Sequence, residues 1–316
     1  MTSRHARILD RALTRLKLRQ LRLLVAVGTH GNIQNAAREL GISQPAATKM
    51  IQDLELDFEV TLFSRTNRGV IPTVFGETLI RHGKLIFAQV SYATQELDDL
   101  SEGNSGRVVI GTLLAASTGL LPAAIDRLLT VRPKVAIKIS EGTNEVLIPS
   151  LLSGKIDMVV GRLSTLRYRE RITREKLIED RIVAVVGPEH PLAGMPDVSF
   201  DQIRPYGWLL PPLETTLRRQ VDQFFVNQQQ YVPPRAIESV SYLANRALLQ
   251  SRDLICLMPE EVTAQDVGNG NLARLDWTVP FGRGPIGISL RADDSLSPAA
   301  RAFKAALHEV AAERGA

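Results

Sequence analysis

The chain of 316 residues is 44% apolar and 23% charged, the balance of a folded globular protein long enough for two or three domains. Its longest apolar runs, such as Ile182 to Gly187, fall far short of the roughly 20 residues of a membrane span. Met1 to Arg22 is interrupted by arginine and lysine where a signal peptide needs a continuous apolar core, so a cytoplasmic location is expected. Net charge is +4, but residues 1–72 carry 11 Lys/Arg against 6 Asp/Glu while the rest of the chain carries 27 against 28. The positive excess therefore sits in the first quarter, where contact with a polyanion needs it.

Three short helical patterns open the chain. Leu18, Leu21, Leu24 and Val25 form the first apolar stripe, expected to end near Gly28. Ile33, Ala36, Ala37 and Leu40 form the second, stopped by Gly41. The third opens at Ser43, a good N-cap, and runs through Ala47, Met50, Ile51 and Leu54 to Phe58. Ala36, Ala37, Ala46 and Ala47 surround the turn between the second and third, and small side chains there allow the close crossing of a helix-turn-helix. The outward face of the third helix presents Gln44, Pro45, Thr48, Lys49 and Gln52, side chains suited to base edges in a major groove. Two extended runs then flank Asn67-Arg68-Gly69, with Arg65, Thr66 and Arg68 at or beside the tip: a basic hairpin, or wing, for the phosphate backbone.

These residues carry a resemblance. Leu21-Arg22-Leu23-Leu24-Val25-Ala26-Val27, Asn35-Ala36-Ala37-Arg38-Glu39-Leu40, Ser43-Gln44-Pro45-Ala46-Ala47, Leu54-Glu55, Leu62-Phe63-Ser64-Arg65 and Pro72-Thr73-Val74-Phe75-Gly76 together resemble the DNA-binding signature of LysR-type transcriptional regulators. Two departures stand out. Thr48-Lys49 replaces the Ser-Arg common in the family, which bears on operator preference, and Met1 to Leu16 precede the family's usual start. That extension reads as a frayed segment, with an extra helical turn or a phosphate contact as alternatives.

From Val74 to Ser101 no proline intervenes, and Leu79, Gly83, Ile86, Val90, Ala93, Leu97 and Leu100 recur alternately four and three apart. This is a coiled-coil seam on a helix roughly 40 Å long, expected to pair with a second copy, docking on the chain's own C-terminal domain being the alternative. Pairing would set two reading helices on a pseudo-palindromic operator of double-stranded DNA. The resemblance implies a homodimer or homotetramer, with RNA polymerase as a further partner. Ser101 to Gly106 is glycine- and serine-rich and reads as a hinge.

Beyond it, strands at Val108–Gly111, Val135–Ser140 and Asp157–Gly161 alternate with helices at Leu120–Leu129 and Glu145–Leu152, the rhythm of a parallel α/β sheet. A second lobe is expected from Ile182–Val186, with a helix at Thr215–Asn227 and a strand at Leu254–Met258, before the chain returns to the first lobe near Ile286–Leu290. The whole is α/β: a winged helix-turn-helix over 1–73, a linker helix and hinge over 74–106, and a two-lobed domain over 107–316, with lobe I at about 107–180 and 282–316 and lobe II at about 181–281. Two lobes joined by crossing strands resemble periplasmic solute-binding proteins, the effector-domain fold of LysR-type regulators.

Ligands in such sheets sit beyond the strand carboxyl ends, against helix N-termini. That rule selects Thr112, Leu114 and Ser117, then Thr143 and Asn144, then Arg162 and Ser164, and from lobe II Pro212, Thr215, Thr216 and Ser239; for each an ordinary helix cap is the competing role. Arg162, Arg218 and Arg219 are candidates to pair with a carboxylate, or plain surface arginines. Val159-Val160-Gly161-Arg162-Leu163 and Gly142-Thr143-Asn144-Glu145 look most like regulators of aromatic-acid or sugar catabolism, so a carboxylate or sugar effector is expected.

Catalytic readings are weak. Gly282-Arg283-Gly284-Pro285-Ile286-Gly287 matches a dinucleotide-binding glycine pattern literally, but proline interrupts it and a strand is expected to follow. The five histidines are scattered without metal-ligand spacing, so no metal or cofactor is expected. Cys256, the single cysteine, sits in an apolar run and reads as a buried, inert thiol. A solute-binding protein without a role in transcription is the alternative, and an enzyme comes last.

Overall fold

The computed structural model describes residues 4–67, 69–102, 106–163, 170–228, 236–292 and 296–315, with backbone alone at 4–5, 98–102 and 315. Contacts divide the chain into two units, Met1–Ser91 and Tyr92–Ala316.

The first unit begins with α1 (Arg4–Arg15), α2 (Leu18–His30), α3 (Ile33–Glu39) and α4 (Gln44–Phe58). The segment expected to fray is thus a helix. Arg11 bonds Glu59 at 3.0 Å and Arg15 approaches Asp57 at 3.8 Å, so the acidic end of α4 holds what the isolated sequence has no reason to order. Helix α2 does not end at Gly28, which packs against Ile80; it continues to a left-handed cap at Gly31, with φ 61°. Asn32 caps α3 by accepting from the amides of Gln34 (2.8 Å) and Asn35 (3.2 Å), and Ser43 caps α4 by accepting from Ala46 (3.4 Å). Leu21, Leu23, Leu24, Val27, Ala36, Ala37, Ala47, Ile51 and Leu54 form the core; Ala36, Ala37 and Ala47 pack in it, whereas Ala46, expected beside them, is exposed on the outer side of α4. An antiparallel hairpin of β1 (Phe63–Thr66) and β2 (Gly69–Pro72) follows.

The long helix α5 (Val74–Glu102) contributes to both units. Its early turns pack Ile80, Leu79, Phe87 and the buried Gly83 on the N-terminal core, whereas Tyr92 is buried in the second unit. The division therefore falls within the helix, not at its start.

In the second unit, lobe I contains β3 (Arg107–Thr112), α6 (Leu114–Ser117), α7 (Leu120–Val131), β4 (Ala136–Glu141), α8 (Asn144–Leu152), β5 (Met158–Arg162) and β6 (Ile172–Asp180). Lobe II contains β7 (Ile182–Val186), α9 (Phe200–Ile203), β8 (Gly207–Leu210), α10 (Thr216–Asn227), β9 (Ala236–Glu238), α11 (Tyr242–Ser251), β10 (Leu254–Pro259), α12 (Glu260–Gly268) and β11 (Ala273–Arg274). The chain then returns through β12 (Gly284–Arg291) and ends with α13 (Pro298–Gly315). The sheet orders are β4-β3-β5-β12-β6 and β11-β7-β10-β8-β9. Neither sheet is purely parallel: β3 runs parallel to β4 and β5, but β12 lies antiparallel to β5 and β6, and β10 antiparallel to β7. The returning strand enters lobe I from the other lobe, and this reverses its direction.

A buried polar cluster fixes the end of the lobe I sheet where β3 and β5 begin. The Arg291 guanidinium donates to the carbonyls of Leu151 (2.7 Å) and Ile156 (2.8 Å) and to the Tyr92 hydroxyl (2.8 Å). That hydroxyl donates to Asp157, whose other oxygen accepts from the Val109 amide at 2.7 Å. Burial first, then the Asp157 carboxylate, keeps the Tyr92 phenol protonated well above the usual range. Replacing Arg291 with methionine leaves Asp157 and two carbonyls without their cation, and should lower stability by about 3–5 kcal/mol. Tyr92→Phe removes one hydroxyl and should lower it by about 1–3 kcal/mol. Urea melts of the full chain test this order; an Arg291 variant no weaker than Tyr92→Phe would remove Arg291 from the centre of the cluster.

Candidate effector cleft and nucleic-acid interface

The DNA-facing candidates cluster as expected on α4. Gln44, Pro45, Lys49 and Gln52 are exposed and Thr48 is half-buried, and all five share a shallow depression with Asp53 and Leu56. The same helix fixes the wing. Leu54 is fully buried, and its neighbour Glu55 accepts from the amides of Leu62 (2.7 Å) and Phe63 (3.4 Å) where β1 begins. The far strand docks on the cap of α2, with Val70 donating to the Gly31 carbonyl at 2.8 Å. At Gly69 a side chain would overlap that carbonyl, and φ there is 142°, so glycine is required twice over. Gly76 lies against the Leu62 carbonyl with no room for a Cβ, while Thr73 caps the start of α5 by accepting from the Gly76 amide at 3.1 Å. Arg65 and Thr66 are exposed on β1, and the Thr66 hydroxyl is bonded to the Gly69 carbonyl at 3.2 Å. Arg68, like Ser164, lies outside the described residues.

Between the two sheets of the second unit lies a cavity of about 420 Å³, within the size range of small-molecule sites. Lobe I contributes residues at or just beyond the ends of β3, β4 and β5, including Leu114, Thr143, Asn144 and Arg162. Lobe II contributes Thr215, Thr216, Ser239 and the strand Cys256–Pro259. The first turns of α8, α10 and α11 all line it, and the leading N–H groups of a helix have no partner within that helix.

Three expected contacts do not line this cavity. Thr112 is 2% exposed and its hydroxyl is bonded to the Leu113 carbonyl at 3.3 Å. The Ser117 hydroxyl turns back on the Leu114 carbonyl at 2.8 Å, as a residue ending a four-residue helix readily does. Pro212 serves the turn before α10, its carbonyl accepting from both the amide (3.0 Å) and hydroxyl (2.8 Å) of Thr215.

The arginines are already committed. Arg162 pairs with Asp180 and donates to the Gly282 carbonyl at 2.8 Å, although burial still raises the Asp180 carboxyl. Arg218 is buried, bonding Asp222 at 2.8 Å and Glu238 at 2.6 Å, and Arg219 reaches the Glu214 carbonyl at 2.7 Å.

One lining residue was not anticipated. Asn245, in the first turns of α11, is 6% exposed, and its side-chain oxygen has no hydrogen-bond partner. Its sequence signal was a polar residue on an otherwise apolar helix face, between Tyr242 and Leu249.

Cys256 also lines the cavity and is 3% exposed. Burial pushes its thiol up to about 12. In native protein at pH 8, iodoacetamide labelling should be at least about a hundredfold slower than in urea-unfolded chain, because the thiolate is the nucleophile. Comparable rates by mass spectrometry would show an accessible thiolate instead.

Comparison with known proteins places both units. Residues 18–77 match the bacterial regulatory helix-turn-helix protein, lysR family, and residues 101–312 match the LysR substrate binding domain. The chain is 34% identical over 295 residues to the HTH-type transcriptional regulator GbpR of Azospirillum brasilense, covering 93% of this chain and 86% of that one. It is 31% identical over 299 residues to the HTH-type transcriptional regulator PcaQ of Agrobacterium fabrum, covering 95% and 96%. The crystal structure of full-length CbnR complexed with its target DNA shares the fold at TM-score 0.64 and 20% identity, covering 93% of this chain and 100% of that one. With helix-turn-helix, wing and inter-lobe cavity on one chain, the protein belongs to the LysR family of DNA-binding transcriptional regulators that carry a substrate-binding domain for an effector.

Proposed function

We propose that Gln44, Pro45, Thr48, Lys49 and Gln52 read the bases of a pseudo-palindromic operator while Arg65, Thr66 and Arg68 hold its backbone. A small-molecule effector between the lobes controls the outcome, and the protein binds rather than turns over its ligand. The observation that carries this is the inter-lobe cavity, lined by three helix N-termini, on the chain that also bears the exposed polar face of α4. Effector contacts come from Leu114, Thr143, Asn144, Thr215, Thr216 and Ser239, with Arg162 shaping one wall.

Two copies pair through α5, where Ile86, Val90, Ala93 and Leu97 are exposed at four-three-four spacing. Leu79 is half-spent on its own domain, and the Leu100 side chain lies outside the described residues. Among the described residues no helix is long and apolar enough to cross a membrane, in keeping with work on chromosomal DNA in the cytoplasm. Effector binding shifts the arrangement of the paired subunits, with a coupling of about 1–3 kcal/mol. Contact with RNA polymerase belongs to the same reading.

The test is DNA binding by the full chain to duplexes selected from a random library. Binding should weaken steeply with salt, the log-log slope being about −0.9 per neutralised phosphate. Lys49→Ala should cost about 1–3 kcal/mol on the selected site and little on random duplex. A flat slope would restore the reading of a solute-binding protein without DNA; unchanged discrimination would take Lys49 out of base reading.

A further inference from the structure

We infer that α1 is a positioning element for DNA binding: Arg11, with Arg7 beside it, holds Glu59 in the left-handed conformation that ends α4, and that turn sets the wing against the reading helix. This rests on the reading that α4 and the wing grip the same duplex. At Glu59 φ is 54° and ψ 39°. Among the described residues Asp197 is the only other non-glycine with positive φ. The left-handed region brings Cβ close to the following carbonyl, so a helix that ends this way usually has glycine there, and sometimes asparagine. The hydrogen bonds are those of such an end. The Val60 amide donates to the Glu55 carbonyl at 3.1 Å, and the Glu59 amide to the Leu56 carbonyl at 3.4 Å. A glutamate in this position has to be held.

Helix α1 supplies the hold. Ile8, Arg11, Ala12 and Leu16 share one face and are half-buried, and Leu16 packs on the N-terminal core. Arg11 donates to one oxygen of the Glu59 carboxylate at 3.0 Å, and Arg7 approaches the other at 3.7 Å. An extended backbone at Glu59 would turn its side chain away from both arginines, so the ion pairs favour the left-handed state. The wing depends on that state. It begins at Phe63, just beyond the turn, where Leu62 and Phe63 donate to the Glu55 side chain. The Thr61 carbonyl accepts from the Thr73 hydroxyl at 2.7 Å and so ties the far end of the hairpin to the same turn. Without the left-handed residue, β1 would carry Arg65 and Thr66 away from the face of α4 that bears Thr48 and Lys49. Arg7 and Arg11 thus act through Glu59, with no phosphate contact of their own.

Binding of the full chain to duplexes selected from a random library, at fixed salt, tests this from both sides of the contact. Arg7→Gln combined with Arg11→Gln should weaken binding about fivefold, the scale of the left-handed penalty for a residue with a Cβ, and Glu59→Ala should do the same. Glu59→Gly should bind at least as tightly as the wild type, and in that background the two arginine substitutions should change nothing. Hydroxyl-radical footprints of the weakened variants should lose the wing's protection and keep that of α4, whereas a domain that merely unfolds loses both together. Arginine variants that bind as the wild type does, or Glu59→Ala and Glu59→Gly behaving alike, would overturn the inference. So would an arginine loss that persists in the Glu59→Gly background, which marks a direct phosphate contact. Arg65→Ala separates the two levels. Undiminished binding by that variant takes the wing out of the interface, and the inference falls with that reading; weakened binding there beside wild-type binding by the arginine variants overturns the inference alone.

Discussion

A guanidinium taken out of water has to be answered by acceptors, and Arg291 finds them in parts of the chain far apart in sequence. It joins α5 through Tyr92, the end of α8 through Leu151, and the approach to β5 through Ile156. Asp157 extends the cluster to β3 by accepting from Val109. Because β3 and β5 start at this cluster and run toward the inter-lobe cavity, the same two strands are anchored at one end and lead at the other to Leu114, just beyond β3, and Arg162, both of which line it.

The cleft itself is built by direction more than by charged side chains. Parallel strands bring their carboxyl ends to one edge, and each following helix begins there with its amides pointing back. The arginines nearby serve the protein: Arg162 is held by Asp180 across β5 and β6, and Arg218 by Asp222 and Glu238 within lobe II. The cavity edge is otherwise lined by helix N-termini and small hydroxyls, whose geometry depends on the packing of the lobes.

This division explains what could be read from the sequence. The helix-turn-helix was legible because its determinants are local: small residues around Gly41, a cap at Ser43, and a 3.6-residue apolar period. Most lobe elements were legible from apolar runs, and the edge at which Thr143, Asn144, Thr215 and Thr216 line one cavity from the order of strands and helices. Other features depend on partners far along the chain. Helix α1 is held by Glu59 and Asp57 at the end of α4, and β6, rich in charged residues, is defined as a strand by its antiparallel partner β12. Gly28 reads as a helix end until Ile80 is seen packed against it. Thr112, Ser117 and Pro212 had the right position for ligand contact, but each found a nearer partner. Asn245 was missed for the opposite reason: only the folded cavity shows that its acceptor has none.

Helix α5 shows how one segment meets separate demands by dividing its faces. Gly83 lets the helix approach Val25 and Leu21 closely, and Ile80 and Phe87 complete that contact, so the early turns are committed to the N-terminal core. Tyr92 commits a later turn to the Arg291 cluster. Neither contact uses Ile86, Val90, Ala93 or Leu97, which continue at four-three-four spacing across the point where the two units divide. An apolar stripe that runs unbroken past a domain division serves neither domain's own core. Its continuity leaves a face of the right period for the proposed pairing with α5 of a second copy.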